Sequence, residues 1–203
     1  MDNFSDQFSF NLVNKTEKEK DKTRAQELDD MVLYNSSSPH TALVITDASI
    51  KNDIATSISY VHLVNRPLTK TVHHASFMTT IETEMFAIRC GINQACSNNF
   101  ISKIIIVTNS IHTAKKIFNS DFHSLQLHSV AILCELQRFF NSNHNNSIEF
   151  WKCPSCLKWR FHYDADKDSK SFFLIPSYPC KTSWDFCKKT NSNDIINQWK
   201  MTF

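Results

Sequence analysis

Glycine is all but missing. The chain has 203 residues and a single glycine, Gly91, where a soluble protein of this length carries roughly 14. Gly-rich phosphate loops of the GxGxxG and GxxxxGK[ST] kinds are therefore excluded, as are collagen-like repeats and Gly/Ser linkers. Turn positions that need φ > 0 must fall to other residues, and asparagine is the usual substitute. Asn52, Asn65, Asn98, Asn99, Asn141, Asn143, Asn145 and Asn146 lie between the apolar segments. Long hydrophobic runs are lacking too: none approaches the ~20 residues of a membrane span. The N-terminal stretch MDNFSDQFSFNLVNK has no basic segment followed by an apolar one, so no secretory signal is read there. An excess of one charge sign is absent as well. A net charge of +2 is too mild to imply nucleic-acid binding by itself.

What is present suffices for a packed domain. Hydrophobic residues make up 41% of the chain and aromatics 12%, which excludes wholesale disorder. The length suits one domain with appendages. Seven cysteines without a secretion signal are expected to stay reduced, in an intracellular protein, cytoplasmic or nuclear.

Residues 1–40 are polar. Within them Lys15–Asp30 alternates acids and bases and has few apolar anchors, which suits a solvated helix or tether rather than a basic arm. The core is expected over residues 41–173. Ala42–Thr46 is a short apolar run of the buried-strand kind, ending at Asp47. Ile54–Leu63 alternates, Arg66–Pro67 marks a turn, and Thr69–Met78 reads as a third strand. A helix follows, in which Thr79 and Glu82 have the capping-box spacing. Ile81, Met85, Ile88, Ile92 and Ala95 form its apolar stripe. Lys103–Thr108 is continuous Ile/Val, as in a strand covered on both faces. Ser110 can cap a helix over Ile111–Phe118. A longer helix spans about His128–Phe140, with Val130, Leu133, Leu136 or Gln137, and Phe140 on one side. Ser147–Cys153 is a fifth strand stopped by Pro154, and Asp166–Phe173 a last helix. Residues 174–203 form a C-terminal extension of no assigned fold. The expected architecture is α/β, in the order βββ-α-β-α-α-β-α. It is a mixed five-stranded sheet, three antiparallel strands then parallel additions, with flanking helices.

Several acids fall at the ends of apolar elements. Asp47 ends the first strand, Glu84 lies in the first turn of the first helix, and Asp166 opens the last. Each has a bland alternative. Asp47 suits a strand-end turn. Glu82 competes with Glu84, although Glu82 suits the capping box while Glu84 shares the stripe of Ile81 and Ile88. Asp166, between Asp164 and Asp168, suits a solvated helix start.

Together these segments resemble the ribonuclease H family, in the form attached to retrotransposon reverse transcriptases. Thr46-Asp47-Ala48-Ser49 is similar to the family's TDGS, and Glu84-Met85-Phe86-Ala87-Ile88 to its helix-borne E-L-x-A-I. Thr108-Asn109-Ser110 is similar to its TDS. The family's W-x-P-G-H is followed by A-D-x-x-A-K with twelve residues from proline to aspartate. Pro154 and Asp166 have the same separation, with Ala165 before and Lys170 four after. The resemblance covers roughly residues 41–173. It implies an RNase H-like fold and metal-dependent hydrolysis of the RNA strand of an RNA–DNA hybrid. The implied catalytic set is Asp47, Glu84, Asn109 and Asp166, with Asp47, Glu84 and Asp166 as metal ligands. Two Mg²⁺ or Mn²⁺ ions, about 4 Å apart, would activate water and stabilise the leaving oxygen. Mg²⁺ prefers such oxygen ligands, and hybrids are read by shape and 2′-OH contacts. The polymerase domain of a parent polyprotein is the implied protein partner.

The match departs at two places. Asn109 replaces the family's third carboxylate, leaving three formal negatives instead of four. The loss of one charged ligand is expected to cost several kcal/mol, which weakens or abolishes cleavage. Cys156 stands where the family has a loop histidine; His162 is an alternative without spacing support. A catalytically inactive nucleic-acid-binding domain is therefore a competing reading. A zinc-stabilised module is a third, from Cys153-Pro154-Ser155-Cys156 with Cys180 and Cys187. Cys90, Cys96 and Cys134 suit small core positions. His73 and His74, adjacent on a strand, point to opposite faces. Trp151, Trp159 and Phe161 suit either core or a base-stacking surface. Gly91 falls inside a helix, where glycine is least useful.

Overall fold

Runs of isoleucine and valine build the sheet. A computed structural model describes residues 6–12, 18–35, 37–76, 78–119 and 125–171. Among these residues are six strands: β1 (Phe8–Asn11), β2 (Thr41–Lys51), β3 (Ile54–Leu63), β4 (Thr69–Ser76), β5 (Lys103–Thr108) and β6 (Ser147–Lys152). Five helices accompany them: α1 (Lys18–Asn35), α2 (Thr80–Cys96), α3 (Ile111–Lys116), α4 (Gln126–Ser142) and α5 (Arg160–Ser171). The strand order is β1-β6-β5-β2-β3-β4. β2, β3 and β4 form the antiparallel meander, and β5, β6 and β1 add in parallel. Alternation along the strands makes two cores. Val44, Ile104, Ile106, Ile148 and Phe150 pack under α2 and α4, whereas Ile45, Ile58, Ile105 and Val107 pack under α1 and α5.

The sheet has six strands where the sequence reading expects five. The extra strand, β1, lies in the segment read as a polar tether. Four residues among polar neighbours carry too little periodicity to be seen. They are nonetheless seated by aromatic contacts: Phe8 stacks on Phe118 at 4.4 Å and Phe10 on Phe150 at 5.0 Å. The same segment supplies α1, whose Leu28 and Met31 are buried in the second core. Burial of two such side chains contributes about 1.5–3 kcal/mol each. Arg24 is only 1% exposed. Its Nε donates to the Lys152 carbonyl at 2.9 Å, and its Nη atoms donate to Asn11 Oδ1, the Asn11 carbonyl and Glu27. It also stands 5.1 Å from the Trp151 ring. A buried, fully bonded arginine thus ties α1 to β1 and β6.

Asparagine does take glycine's place in turns, at two of the expected positions. Asn52 and Asp53 both have φ > 0 (51° and 61°), making the two-residue β2–β3 link, and Asn65 has φ 58°. Two consecutive positive-φ residues suit a type I′ hairpin. Asn146 acts differently, donating to the Phe139 carbonyl at 2.6 Å.

α2 opens with the expected capping box: Glu82 N–H donates to Thr79 Oγ1, and Thr79 N–H donates to Glu82 Oε2 at 2.7 Å. Met85, Ile88, Ile92 and Ala95 are buried, but Ile81 is 41% exposed and falls outside the stripe. Gly91 has a packing reason to be glycine: a Cβ there would stand 2.3 Å from Val44 Cγ1. In α4 the buried side carries Ser129, Ile132, Leu136, Phe139 and Phe140, and Val130 faces out. Ser110 does not cap α3 through its side chain; its hydroxyl is hydrogen-bonded to that of Thr113. α5 starts at Arg160 rather than Asp166, because its buried stripe is His162, Ala165 and Ser169. A largely polar stripe gives no apolar period.

Cys134 is exposed and Cys90 and Cys96 are half-buried, so none of the three is a fully buried core residue. Trp159 is core, with Nε1 donating to Asp29 at 2.9 Å, and Phe161 packs on it. His74 bonds Thr56 while His73 stacks on Phe86. The extension 174–203, with Cys180 and Cys187, lies outside the described residues. No helix among the described residues is long and apolar enough to cross a membrane.

Candidate active site around Asp47

The parallel register pairs Thr46 of β2 with Thr108 of β5. Asn109, the first residue after β5, therefore lies beside Asp47. Asp47 sits inside β2 rather than at the strand end expected from sequence, because the β2–β3 pairing runs on to Lys51. Asp47 is 1% exposed, and both its oxygens are occupied. Asn109 Nδ2 donates to Oδ1 at 3.0 Å, and Ser169 Oγ donates to Oδ2 at 2.7 Å. His162 Nε2 stands 3.5 Å from Oδ1. His162, Asp166 and Ser169 are spaced by four and three residues, so α5 presents all three on one side. The Ser49 hydroxyl, which donates to the Ser169 carbonyl, fastens α5 to β2.

Electrostatics agree with this crowding. Burial pushes the Asp47 carboxyl up to about 6; the Asp166 charge raises it further, against the Ser169 hydroxyl, Lys170 and the Ala48 N–H. Glu84, 5% exposed, is held well above its usual range by burial and then by Asp47. Burial also lowers His162, with Asp166 opposing and Lys170 assisting. Asp166 is different. Its side chain is 36% exposed and accepts from Lys170 Nζ at 2.7 Å.

The donor chemistry suits a hard divalent cation. Glu84 Oε2 and Asn109 Oδ1 are buried oxygens without a hydrogen-bond partner, and Asp47 lies within charge range of Glu84. Buried carboxylates that raise one another are relieved by a cation, and Mg²⁺ takes such oxygens. Among the described residues, however, no group of three or more His, Cys, Asp or Glu side chains is arranged to hold a metal. Asp47 and Glu84 are buried, with Asp47 acting on Glu84 by charge, whereas Asp166, the third expected ligand, is turned to Lys170.

Of the four residues expected from sequence, Asp47 and Asn109 are in contact, Asp166 acts on Asp47 by charge, and Asp47 acts on Glu84. Glu82 belongs to the helix cap. Two further residues touch Asp47, Ser169 and His162. Ser169 was readable, since it stands where the family's A-D-x-x-A-K has alanine and lies three residues after Asp166. His162 was readable only as an alternative to the loop histidine, without spacing support, because α5 was expected to begin after it. Cys153 is buried at the end of β6, close enough for the Asp47 charge to act on its thiol.

No family model and no curated protein matches the sequence. Solved structures are similar in fold. The N-terminal RNase H domain of a Mycobacterium tuberculosis protein, solved as a fusion with maltose binding protein, has a TM-score of 0.50 and 10% identity. That match covers 63% of this chain and 94% of the other. RNase H1 from the halophilic archaeon Halobacterium salinarum has a TM-score of 0.46 and 11% identity, over 63% of this chain and 98% of that one. The first likeness and the observed topology agree: this is an α/β chain with an RNase H-like fold, its mixed sheet extended by a sixth strand, β1.

Proposed function

We propose that the chain is an RNase H-like nucleic-acid domain that binds RNA–DNA hybrid and hydrolyses the RNA strand weakly, with Mg²⁺ or Mn²⁺. The supporting observation is the gathering around Asp47, which Asp166 raises by charge, which itself raises Glu84, and which Asn109 touches directly. A bound divalent cation would supply an activated water and charge stabilisation for the leaving oxygen. Asp47, Glu84 and Asn109 Oδ1 are the chain's groups to hold it. Ser169 orients the Asp47 carboxylate, and buried His162 stands beside its Oδ1. Asn109 brings no charge. A deficit of ~4 kcal/mol in charge stabilisation lowers a rate about a thousandfold. Origin in a mobile-element reverse transcriptase, with a polymerase domain as partner, belongs to the same reading through the motif resemblance.

Binding without cleavage is the second reading. It is favoured by the two donors of the chain itself, Asn109 and Ser169, on the two oxygens of Asp47. Labelled RNA–DNA hybrid incubated with Mg²⁺ or Mn²⁺ separates the two. Slow cleavage that disappears in Asp47→Asn and accelerates in Asn109→Asp supports the first. Hybrid binding with no cleavage by the wild type or by Asn109→Asp supports the second. Cleavage that persists in Asp47→Asn removes the site assignment.

A further inference from the structure

Beyond the carboxylate site, Cys153-Pro154-Ser155-Cys156 directly follows β6. Two thiols separated by two residues have the spacing of dithiol redox motifs. The backbone turns here: Leu157 N–H donates to the Pro154 carbonyl at 2.9 Å. The two side chains differ in setting. Cys153 is fully buried in the core that holds Ile45, Ile105 and Trp159, whereas Cys156 is exposed. An outer thiol that solutes can reach beside an inner one they cannot is the arrangement of an attacking and a resolving cysteine. We propose that Cys153 and Cys156 form a reversible intramolecular disulfide, a redox modification site at the end of β6.

The oxidant required is a small-molecule disulfide such as oxidised glutathione. The Cys156 thiolate attacks one of its sulfurs; that S–S bond breaks, a mixed disulfide forms, and one glutathione leaves as thiolate and takes up a proton. Cys153 then gives its proton to solvent and attacks Cys156 Sγ. The protein S–S bond forms and the second glutathione leaves as a thiol. Two protein thiols are oxidised and one disulfide is reduced to two thiols. The inner step is the slow one. Burial pushes the Cys153 thiol up to about 12, with Cys156 and Asp47 raising it and only Arg24 opposing. Closure therefore accelerates as pH rises. Closing the ring would also be felt nearby, because Cys153 N–H donates to the Thr108 carbonyl at 2.9 Å, one residue before Asn109.

The test uses the full chain, equilibrated in glutathione buffers from reducing to oxidising, acid-quenched, treated with maleimide and digested with trypsin. Both cysteines lie in one tryptic peptide, CPSCLK. In oxidising buffer that peptide should lose two hydrogens and take up no maleimide, and dithiothreitol should reverse both changes. Cys153→Ser, or Cys153→Ala if the serine variant misfolds, should trap Cys156 as a lasting glutathione mixed disulfide. Two outcomes overturn the proposal. One is wild-type Cys156 that stops at the mixed disulfide. The other is a pair protected from maleimide by equimolar zinc with its hydrogens retained.

Discussion

The side-chain amide of Asn109 donates to Oδ1 of Asp47 across 3.0 Å. An aspartate at 109 would set a second negative charge against a carboxylate already pushed up to about 6 by burial. Asn109→Asp should therefore lose about 1–3 kcal/mol of stability at neutral pH in chelator. Mn²⁺ should return that loss, and hybrid cleavage should rise by up to about a thousandfold. Urea unfolding with EDTA and then with Mn²⁺ checks the first part. A variant whose stability ignores Mn²⁺ would show that the pocket does not take the cation.

Asp47 should also shape stability against pH. Its folded pKa is about 6 against 3.8 unexposed to the fold, so the native state holds the extra proton between those values. Its contribution is then present below about pH 4 and lost as pH rises through 6. A shift of this size corresponds to about 3 kcal/mol. Asp47→Asn keeps a neutral group at all pH values. It should exceed wild-type stability by up to that amount at pH 7.5 and match it near pH 4. Buried His162 works in the opposite sense, losing stability as pH falls below its ordinary value. Because it stands 3.5 Å from Asp47, the comparison is made in a His162→Gln background, where the difference between the two unfolding curves belongs to Asp47.

Ser169→Ala removes the hydroxyl that donates to Asp47 Oδ2. A hydrogen bond to a buried charge contributes about 1.5–3 kcal/mol. The loss should be near 2 kcal/mol at pH 7.5 and smaller at pH 4, where the carboxyl is protonated. The Asp47 carboxyl should titrate at higher pH, which carboxyl carbon NMR can follow. An equal loss at both pH values would place the role of Ser169 in packing alone.

Arg24→Ala leaves the carbonyls of Lys152 and Asn11 without their donor. The expected cost is about 3 kcal/mol, concentrated where β1 meets β6. Amide hydrogen exchange should quicken in Phe8–Asn11 before it changes in the central strands β2 and β5.

Some of this was legible and some was not, for definite reasons. Lys103–Thr108 reads as a strand because both of its faces are covered by apolar layers. Thr79 and Glu82 declare a helix start because the capping box uses their own side chains. The meander and its parallel additions follow from such segments in order. β1 stayed hidden because four residues hold no period and are seated by distant rings, Phe118 and Phe150. The start of α5 stayed hidden because the face it buries, His162, Ala165 and Ser169, is mostly polar. At the site, the motifs imply that Asp47 and Asn109 lie together, and they do touch, but the motifs gave no sign that Asp166 would be engaged by Lys170 or that Ser169 would sit on Asp47.

Gly91 and Val44 mark where α2 comes down on β2. Glu84 lies seven residues before Gly91, about 10.5 Å along a helix. Asp47 lies three residues after Val44, about 10 Å along a strand. The two elements run in opposite senses, so the two separations coincide like marks on a pair of rulers laid together. The missing methyl at position 91 thus acts as the zero of that scale: it sets how deep the helix sits, and with it how far the Glu84 carboxylate can reach toward Asp47.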